Sequence, residues 1–306
     1  MKQRIVIYHG GCPDGFTAAW AAWRRWGDED TEYFAASHTS KEPPPPYQDR
    51  EVIVLDFSYS LEVTRRIANE ARRLVVLDHH QSAVDELATL VSAPVTPNRL
   101  EIERALSRPR GTRPWVQLDT RRSGAGLAWD ILHGSTRPWL IDYVEDRDLW
   151  LWKQLESKVV NAWIGAQPME SFQEWDRLRA AGWSAGLVPG QGIVAYVEQY
   201  VREAVRNAAL VEFDDYTVPM VNCSYKLMSE VVGALAEKHA FAIGWFQKPN
   251  GAFKYSLRSR RADGADVSVI ARQHGGGGHR NASSFESGEL LGRSPRWGML
   301  EGRRFT

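Results

Sequence analysis

The feature that most constrains this chain is the alternation of short apolar, β-branched runs with helical stretches through its first 80 residues. Ile5 to Tyr8 (IVIY), Glu51 to Asp56 (EVIVLD) and Arg73 to Asp78 (RLVVLD) read as strands, and Phe16 to Trp26 and Leu61 to Ala71 carry helical patterns between them. Strands that are apolar throughout must be covered on both faces, so an α/β fold with a doubly wound, mostly parallel sheet is expected. Asp14, Asp56 and Asp78 fall at or just after predicted strand ends. Open α/β sheets gather ligands along that edge, so the three carboxylates are expected to converge on one crevice.

At 306 residues the chain has room for about two domains. Helical patterns resume over Gly124 to His133 and Pro138 to Asp146, and GLVPGQG (Gly186 to Gly192) marks a boundary. Ile193 to Val211 reads as a connecting helix. Beyond it, TVPMVNCS, FAIGWFQ and FKYSLRS read as strands flanking a Met228 to His239 helix, which makes a smaller mixed α/β unit. The expected division is a domain over 1–187, a linker helix over 188–213 and a second domain over 214–306. Between Ser92 and Pro114, Arg99, Arg104, Arg108, Arg110 and Arg113 stand among four prolines. This stretch reads as an irregular surface insertion, either solvated or a phosphate-tracking lid. The prolines Pro43 to Pro46 read as a stiff loop.

Thirty-eight basic residues balance thirty-eight acidic ones, so no global field draws in a polyanion and any such partner must be gripped locally. Cys12 and Cys223 form no CxxC or Cys/His spacing, which argues against a disulfide framework or zinc ribbon and suits a reducing cytoplasm. No uncharged apolar run reaches 18 residues, so no membrane partner is expected. Of the thirteen tryptophans, Trp20, Trp23 and Trp26 recur at threes on one helix, the spacing of a buried stripe or of a homo-oligomer surface.

His9 and Asp14 lie in YHGGCPDG, Asp56 in VLDFS, Asp78, His79 and His80 in VLDHH, and Asp146 in YVEDRDLW. Imidazoles with several carboxylates suit Mn²⁺, with Mg²⁺ or Co²⁺ as substitutes, and a carboxylate between two ions can bridge them. Taken singly, His9 is a strand-end histidine and Asp56 a helix cap. Taken together they make a poor core, because burial would leave several polar groups needing partners. Further along, QHGGGGHRNASSF spans Gln273 to Phe285. Its four glycines let backbone N–H groups approach an anion, with His279, Arg280 and the upstream SLRSR supplying cations; a purely structural loop is the alternative.

The ordered set YHGGCPDGF, VIVLDFS, VVLDHH, YVEDRD and QHGGGGHRNASSF resembles the DHH phosphoesterase superfamily with a C-terminal DHHA1 domain, the group of RecJ-type exonucleases and nanoRNases. The resemblance covers nearly the whole chain. It implies an N-terminal dimetal domain, a connecting helix and a C-terminal domain that closes over substrate. It assigns His9, Asp14 and Asp56 to one ion and Asp56, His79 and Asp146 to the other, with Asp56 as the bridge. Asp78 becomes an additional ligand or the group that orients a histidine, and His80 faces the scissile phosphate as a phosphate-binding group or general acid. Arg258, Ser259, Gly276, Gly277, His279 and Asn281, joined by Arg280, become the substrate-binding set for a terminal phosphate or nucleotide.

One motif departs from the family. Members carry a histidine, three residues and then DxD, whereas four residues separate His9 from Asp14 here and Phe16 stands where the second aspartate falls. That leaves one ion short of a ligand, to be replaced by water or by Cys12, whose thiolate suits a softer ion. Packing beside the turn is the other role open to Cys12.

The resemblance implies a metal-dependent phosphodiesterase that hydrolyses short single-stranded oligonucleotides, or related nucleotide phosphodiesters, to mononucleotides through a metal-activated water. An inorganic pyrophosphatase or polyphosphatase shares the N-terminal motifs, although the GGGGH segment argues against it. A 3′,5′-bisphosphate nucleotide phosphatase also stays open, as does a non-catalytic nucleotide-binding module, which Phe16 keeps in view.

Overall fold

A computed structural model of the chain describes residues 2–36, 43, 46–92, 99–134, 136–260 and 262–292. Pro44 and Pro45 of the proline run, residues 93–98 of the arginine-rich insertion, and 293–306 lie outside the described residues. The chain divides into two compact units, Met1–Val194 and Ala195–Thr306.

In the first unit the strands β1 (Arg4–His9), β2 (Thr31–Ala36), β3 (Glu51–Leu55), β4 (Arg73–Asp78) and β5 (Trp115–Leu118) form one sheet in the order β2-β1-β3-β4-β5. Every pairing in it is parallel. Alternate residues of the same strands enter opposite cores, as pleating requires. Val6, Ile53, Leu55, Val75 and Leu77 pack with Phe16, Trp20 and Leu127 on one face. Ile5, Ile7, Val52, Val54 and Val76 pack with Ile67 and Leu87 on the other. The sheet is therefore covered on both sides, and the sequence expectation of a doubly wound α/β layer holds.

The first unit's helices are α1 (Pro13–Trp26), α2 (Leu61–Glu70), α3 (Gln81–Glu86), α4 (Arg99–Ser107), α5 (Gly124–His133), α6 (Trp139–Asp148), α7 (Ser157–Gly165) and α8 (Phe172–Ala181), followed by α9 (Leu187–Arg206). Of the tryptophan stripe, Trp20 is fully buried and stacks on Trp129 with centroids 5.5 Å apart, while Trp23 and Trp26 are partly buried against the same core. Part of the insertion expected to be irregular is α4, which buries Ile102, Ala105 and Leu106. The buried Arg73 side chain at the start of β4 ties it down by donating to Ala105 O and Pro109 O, each at 3.0 Å.

Of the segment Gly186 to Gly192, read from sequence as a boundary, Gly186 ends a short 3-10 turn and Leu187 to Gly192 supply the first turns of α9, while the helix expected over Ile193 to Val211 ends at Arg206. Pro189 is tolerated there because a first turn has no use for its missing N–H. Residues 209–213 are a strand instead, with Leu210 and Glu212 exposed while Val211 and Phe213 are buried, a period of two.

The second unit continues with β6 (Ala209–Phe213), β7 (Tyr216–Asn222), α10 (Met228–Ala236), β8 (Ala242–Gln247), β9 (Phe253–Arg258), α11 (Val267–Gln273), β10 (Gly277–His279) and β11 (Ala282–Ser287). Its sheet runs β10-β11-β9-β8-β7-β6 and is mixed, with β7 and β8 parallel and the other pairs antiparallel. One core gathers Val211, Phe213, Tyr255, Ile270 and Phe285, and a second gathers Val221, Val231, Val232 and Leu235.

Candidate metal centre

Three chain crossings build the site at the carboxyl ends of β1, β3 and β4. After His9 the chain turns into α1, whose N-cap is Cys12 and whose first helical residue is Pro13. The first turn passes so close over the strand end that a Cβ on Gly15 would lie 2.0 Å from His9 O. Asp14, in that turn, is buried and receives the N-terminus of α5: Gly124 N–H donates to its Oδ2 at 2.7 Å and Ala125 N–H to its Oδ1 at 2.9 Å. The positive end of a helix is a favourable seat for an anion. Asp56 follows β3 in a left-handed conformation with φ 54°, held by its N–H donating to Leu77 O at 2.9 Å. For a non-glycine residue that conformation is costly, and such strain concentrates at working sites.

His79 shows why these residues fit a cation. Its Nε2 lies 3.0 Å from Asp56 Oδ1, 3.6 Å from Asp14 Oδ2 and 3.6 Å from Asp148 Oδ2. One ring nitrogen donates at most one hydrogen, so three carboxylates crowd a single donor. Burial, then the charges of Asp56 and Asp148, push the Asp14 carboxyl well above its ordinary range. Asp148 is raised in the same sense by burial, while contacts from His79 and His9 outweigh burial at Asp56 and hold it low. An additional positive charge would relieve this repulsion, and the N/O donor set suits a divalent ion.

Among the described residues of the first unit, the donor atoms form two overlapping triplets, Asp14 with Asp56 and His79, and His9 with Asp56 and His80, the atoms of each lying within 4.8 Å of one another. Asp56 is common to both. The sequence grouping differs, since it placed His9 with Asp14.

Asp78 is buried and serves His80. Its Oδ1 lies 2.8 Å from His80 Nδ1 and accepts from the backbone N–H groups of His79 and His80, while Ser58 Oγ donates to Oδ2 at 2.5 Å. Burial raises the Asp78 pKa, but the His80 contact outweighs it and leaves the value at about 2.

The YVEDRD segment lies on α6, and its two aspartates part ways. The Asp146 carboxylate is occupied by Lys153 N–H (2.8 Å), Gln154 N–H (3.1 Å) and Ser157 Oγ–H (2.5 Å), so it shapes the following loop. Asp148, which the sequence reading passed over, is the one beside His79. The two stand two residues apart in the same acidic run, and the only sequence signal separating them is the i, i+2 offset that turns them to different sides of a helix. The Gly124 and Ala125 amides were likewise unforeseen. Phe16 points into the core, stacked on Phe172 with centroids 5.0 Å apart and edge-on to Trp175 at 5.1 Å.

In the second unit, Arg258 ends β9 and pairs in register with Ala282, which brings Ser259 beside Asn281. Asn281 Nδ2 donates to Ser259 Oγ at 2.9 Å and to Arg260 O at 2.7 Å. Arg258 donates to Ser229 Oγ and Ser256 Oγ, each at 2.9 Å, and burial lowers its pKa to about 10. The glycine run is not an open loop throughout. Gly276 N–H donates to Ala271 O at 2.8 Å, and Gly277 and His279 belong to β10, paired with Ser284 and Ala282. Arg280 is over half exposed and leans 3.6 Å from Asp266.

Among the described residues, no helix is long and apolar enough to cross a membrane. No family model matches the chain. An uncharacterized protein of Acanthamoeba polyphaga mimivirus is 26% identical over 313 residues, an alignment that covers 95% of this chain and 69% of that protein. Among solved structures, a pGpG-specific phosphodiesterase of Vibrio cholerae is similar at 14% identity and a TM-score of 0.49, over 98% of this chain and 96% of the other. The DHH domain of a protein from a ribosomal-protein family matches at 12% identity and 0.49, over 92% and 82%. Exonuclease RecJ bound to manganese matches at 14% and 0.47, over 92% and 85%. One of these structural neighbours is itself described as a DHH domain.

Proposed function

We propose that this chain is a DHH-type, metal-dependent phosphodiesterase that hydrolyses short oligonucleotides or related nucleotide phosphodiesters to mononucleotides. The observation that carries the reading is Asp56, a buried carboxylate shared by two donor triplets. A pair of divalent ions held there, Mn²⁺ by the character of the donors, would activate a water and offset the charge gathering on the phosphoryl group.

The chain's own residues have distinct tasks in this reading. Asp14, Asp56 and His79 hold one position and His9 and Asp56 the other, with Asp148 completing the first. The Gly124 and Ala125 amides fix the direction in which Asp14 presents its charge. Asp78 fixes the ring of His80 through Nδ1, so that Nε2 is the nitrogen turned away from Asp78 and suited to a phosphoryl or leaving-group oxygen. Asp146 shapes the loop after α6. In the second unit, Arg258, Ser259, Gly276, Gly277, His279, Arg280 and Asn281 are the substrate-binding set, and a guanidinium is the group of choice for a terminal phosphate.

The test is Mn²⁺-dependent hydrolysis of end-labelled RNA and DNA from dinucleotide to about twenty nucleotides, with pyrophosphate and a 3′,5′-bisphosphate in parallel and Asp56→Ala as control. Mononucleotide release that disappears in the variant is expected. Turnover of pyrophosphate alone, or cleavage that survives Asp56→Ala, contradicts the reading.

A further inference from the structure

Cys12 stands on a third side of the cluster. Its Sγ lies 3.5 Å from His9 Nδ1 and 3.7 Å from Asp56 Oδ2, and those two atoms are 3.4 Å apart. A tetrahedral ion bound at about 2.0–2.1 Å by nitrogen and oxygen, and at about 2.3 Å by sulfur, spreads its donors roughly 3.4–3.6 Å apart. An octahedral oxygen site at about 2.1 Å draws neighbouring donors to about 3.0 Å. The Cys12–His9–Asp56 triangle has the wider spacing and presents one sulfur, one nitrogen and one oxygen. Independently of the cysteine, His9 and Asp56 already meet His80 in a donor triplet.

The backbone explains how the sulfur comes to face that way. Cys12 caps α1, and Gly15 N–H donates to its Sγ at 3.3 Å. The chain reaches Cys12 through Gly11 at φ +80°, a conformation strained for any side-chain-bearing residue. One helical turn on, Phe16 is committed to the aromatic core, so that position offers the cluster no further donor.

Building on the metal-centre reading above, we propose that Cys12 is a ligand of the ion held by His9 and Asp56. This position takes a softer divalent ion, Zn²⁺ or Co²⁺, than the oxygen-rich position at Asp14, Asp56 and His79. With the His80 ring given to the substrate, Cys12, His9 and Asp56 are three protein donors with one position left over, the pattern of a catalytic tetrahedral site, and a thiolate among them favours Zn²⁺ and Co²⁺ over Mg²⁺ and Mn²⁺.

The test is absorption spectroscopy of the metal-free full chain titrated with Co²⁺. Wild type is expected to show a sulfur-to-cobalt charge-transfer band in the near ultraviolet that persists in Cys223→Ser and is lost in both Cys12→Ser and Cys12→Ala. Competition against a chromophoric chelator should show Zn²⁺ affinity falling about 10- to 100-fold in Cys12→Ser, with Mn²⁺ affinity changed less than about threefold. Circular dichroism confirms that the variants fold, and the wild-type spectrum decides the matter even if they do not. No band in wild type, or a band that survives Cys12→Ser, overturns the proposal. A band without phosphodiester cleavage leaves the Cys12 ligand standing and removes the functional reading; cleavage without a band does the reverse.

Discussion

Gly124 lies against Asp56 so closely that a Cβ at position 124 would come within 2.4 Å of the Asp56 Cβ and 2.5 Å of its Oδ1. The same residue donates its N–H to Asp14 Oδ2. One glycine at the start of α5 therefore sets the positions of two carboxylates drawn from two different strand ends.

Gly124→Ala is expected to displace Asp56 and cost about 1–3 kcal/mol of stability through overpacking. Divalent-ion affinity should fall more than global stability does, because the clash falls on the shared carboxylate. Calorimetric metal titration beside thermal unfolding separates the two, and wild-type ion affinity in this variant would count against the geometry.

Asp146 and Asp148 should fail in different ways. Asp146→Ala strands two backbone N–H groups and the Ser157 hydroxyl, and a buried hydrogen bond to a charged group contributes about 1.5–3 kcal/mol, so a loss of several kcal/mol in denaturant unfolding is expected. Asp148→Asn should leave unfolding nearly unchanged and lower ion affinity and turnover. The opposite pattern would return the metal role to Asp146.

Chelation should destabilise the protein. The carboxylates of Asp14, Asp56 and Asp148 crowd one another around His79, so the folded state has a preferential affinity for cations. An ion at about one hundred times its dissociation constant stabilises by about 2.7 kcal/mol. Scanning fluorimetry with EDTA and with Mn²⁺ should show a raised melting temperature on ion addition that Asp56→Ala abolishes. A wild-type protein indifferent to both would contradict this.

A pH dependence is expected away from the site. His133 stacks on Trp129, its Nε2 meets Ala21 O at 2.9 Å, and burial lowers its pKa below the ordinary 6.5. Between that lowered value and 6.5 the unfolded chain binds the proton first, so stability falls as pH drops through about 6.5 and is undiminished above it. Denaturant unfolding from pH 8 to 5 should be flatter in His133→Gln. An unchanged slope would remove His133 as the cause.

Much of the site was legible because its residues sit where strands end, and strand ends are visible in sequence: EVIVLD and RLVVLD announce their own boundaries and place Asp56 and Asp78 there. β2 and β5 were harder to see. TEYFAA is a half-exposed edge strand and WVQL has only four residues, so neither gives a long apolar run. Asp148 was hidden by Asp146, since an acidic run on a helix does not say which member faces inward. The Gly124 and Ala125 amides carry no side-chain signal, and the contact of Cys12 with His9 arises from a turn that residue types alone do not fix.

The most direct test of the central claim, that Asp56 joins two ion positions, is electron paramagnetic resonance of the Mn²⁺-loaded chain with bound metal counted in parallel. With Mn²⁺ in large excess, enough to fill even the position that the Cys12 thiolate biases toward Zn²⁺ and Co²⁺, the account predicts about two ions per chain with the spectrum of a coupled pair, and in Asp56→Ala at most about one ion with no coupling. A single uncoupled ion in wild type, or a coupled pair that survives Asp56→Ala, would contradict it.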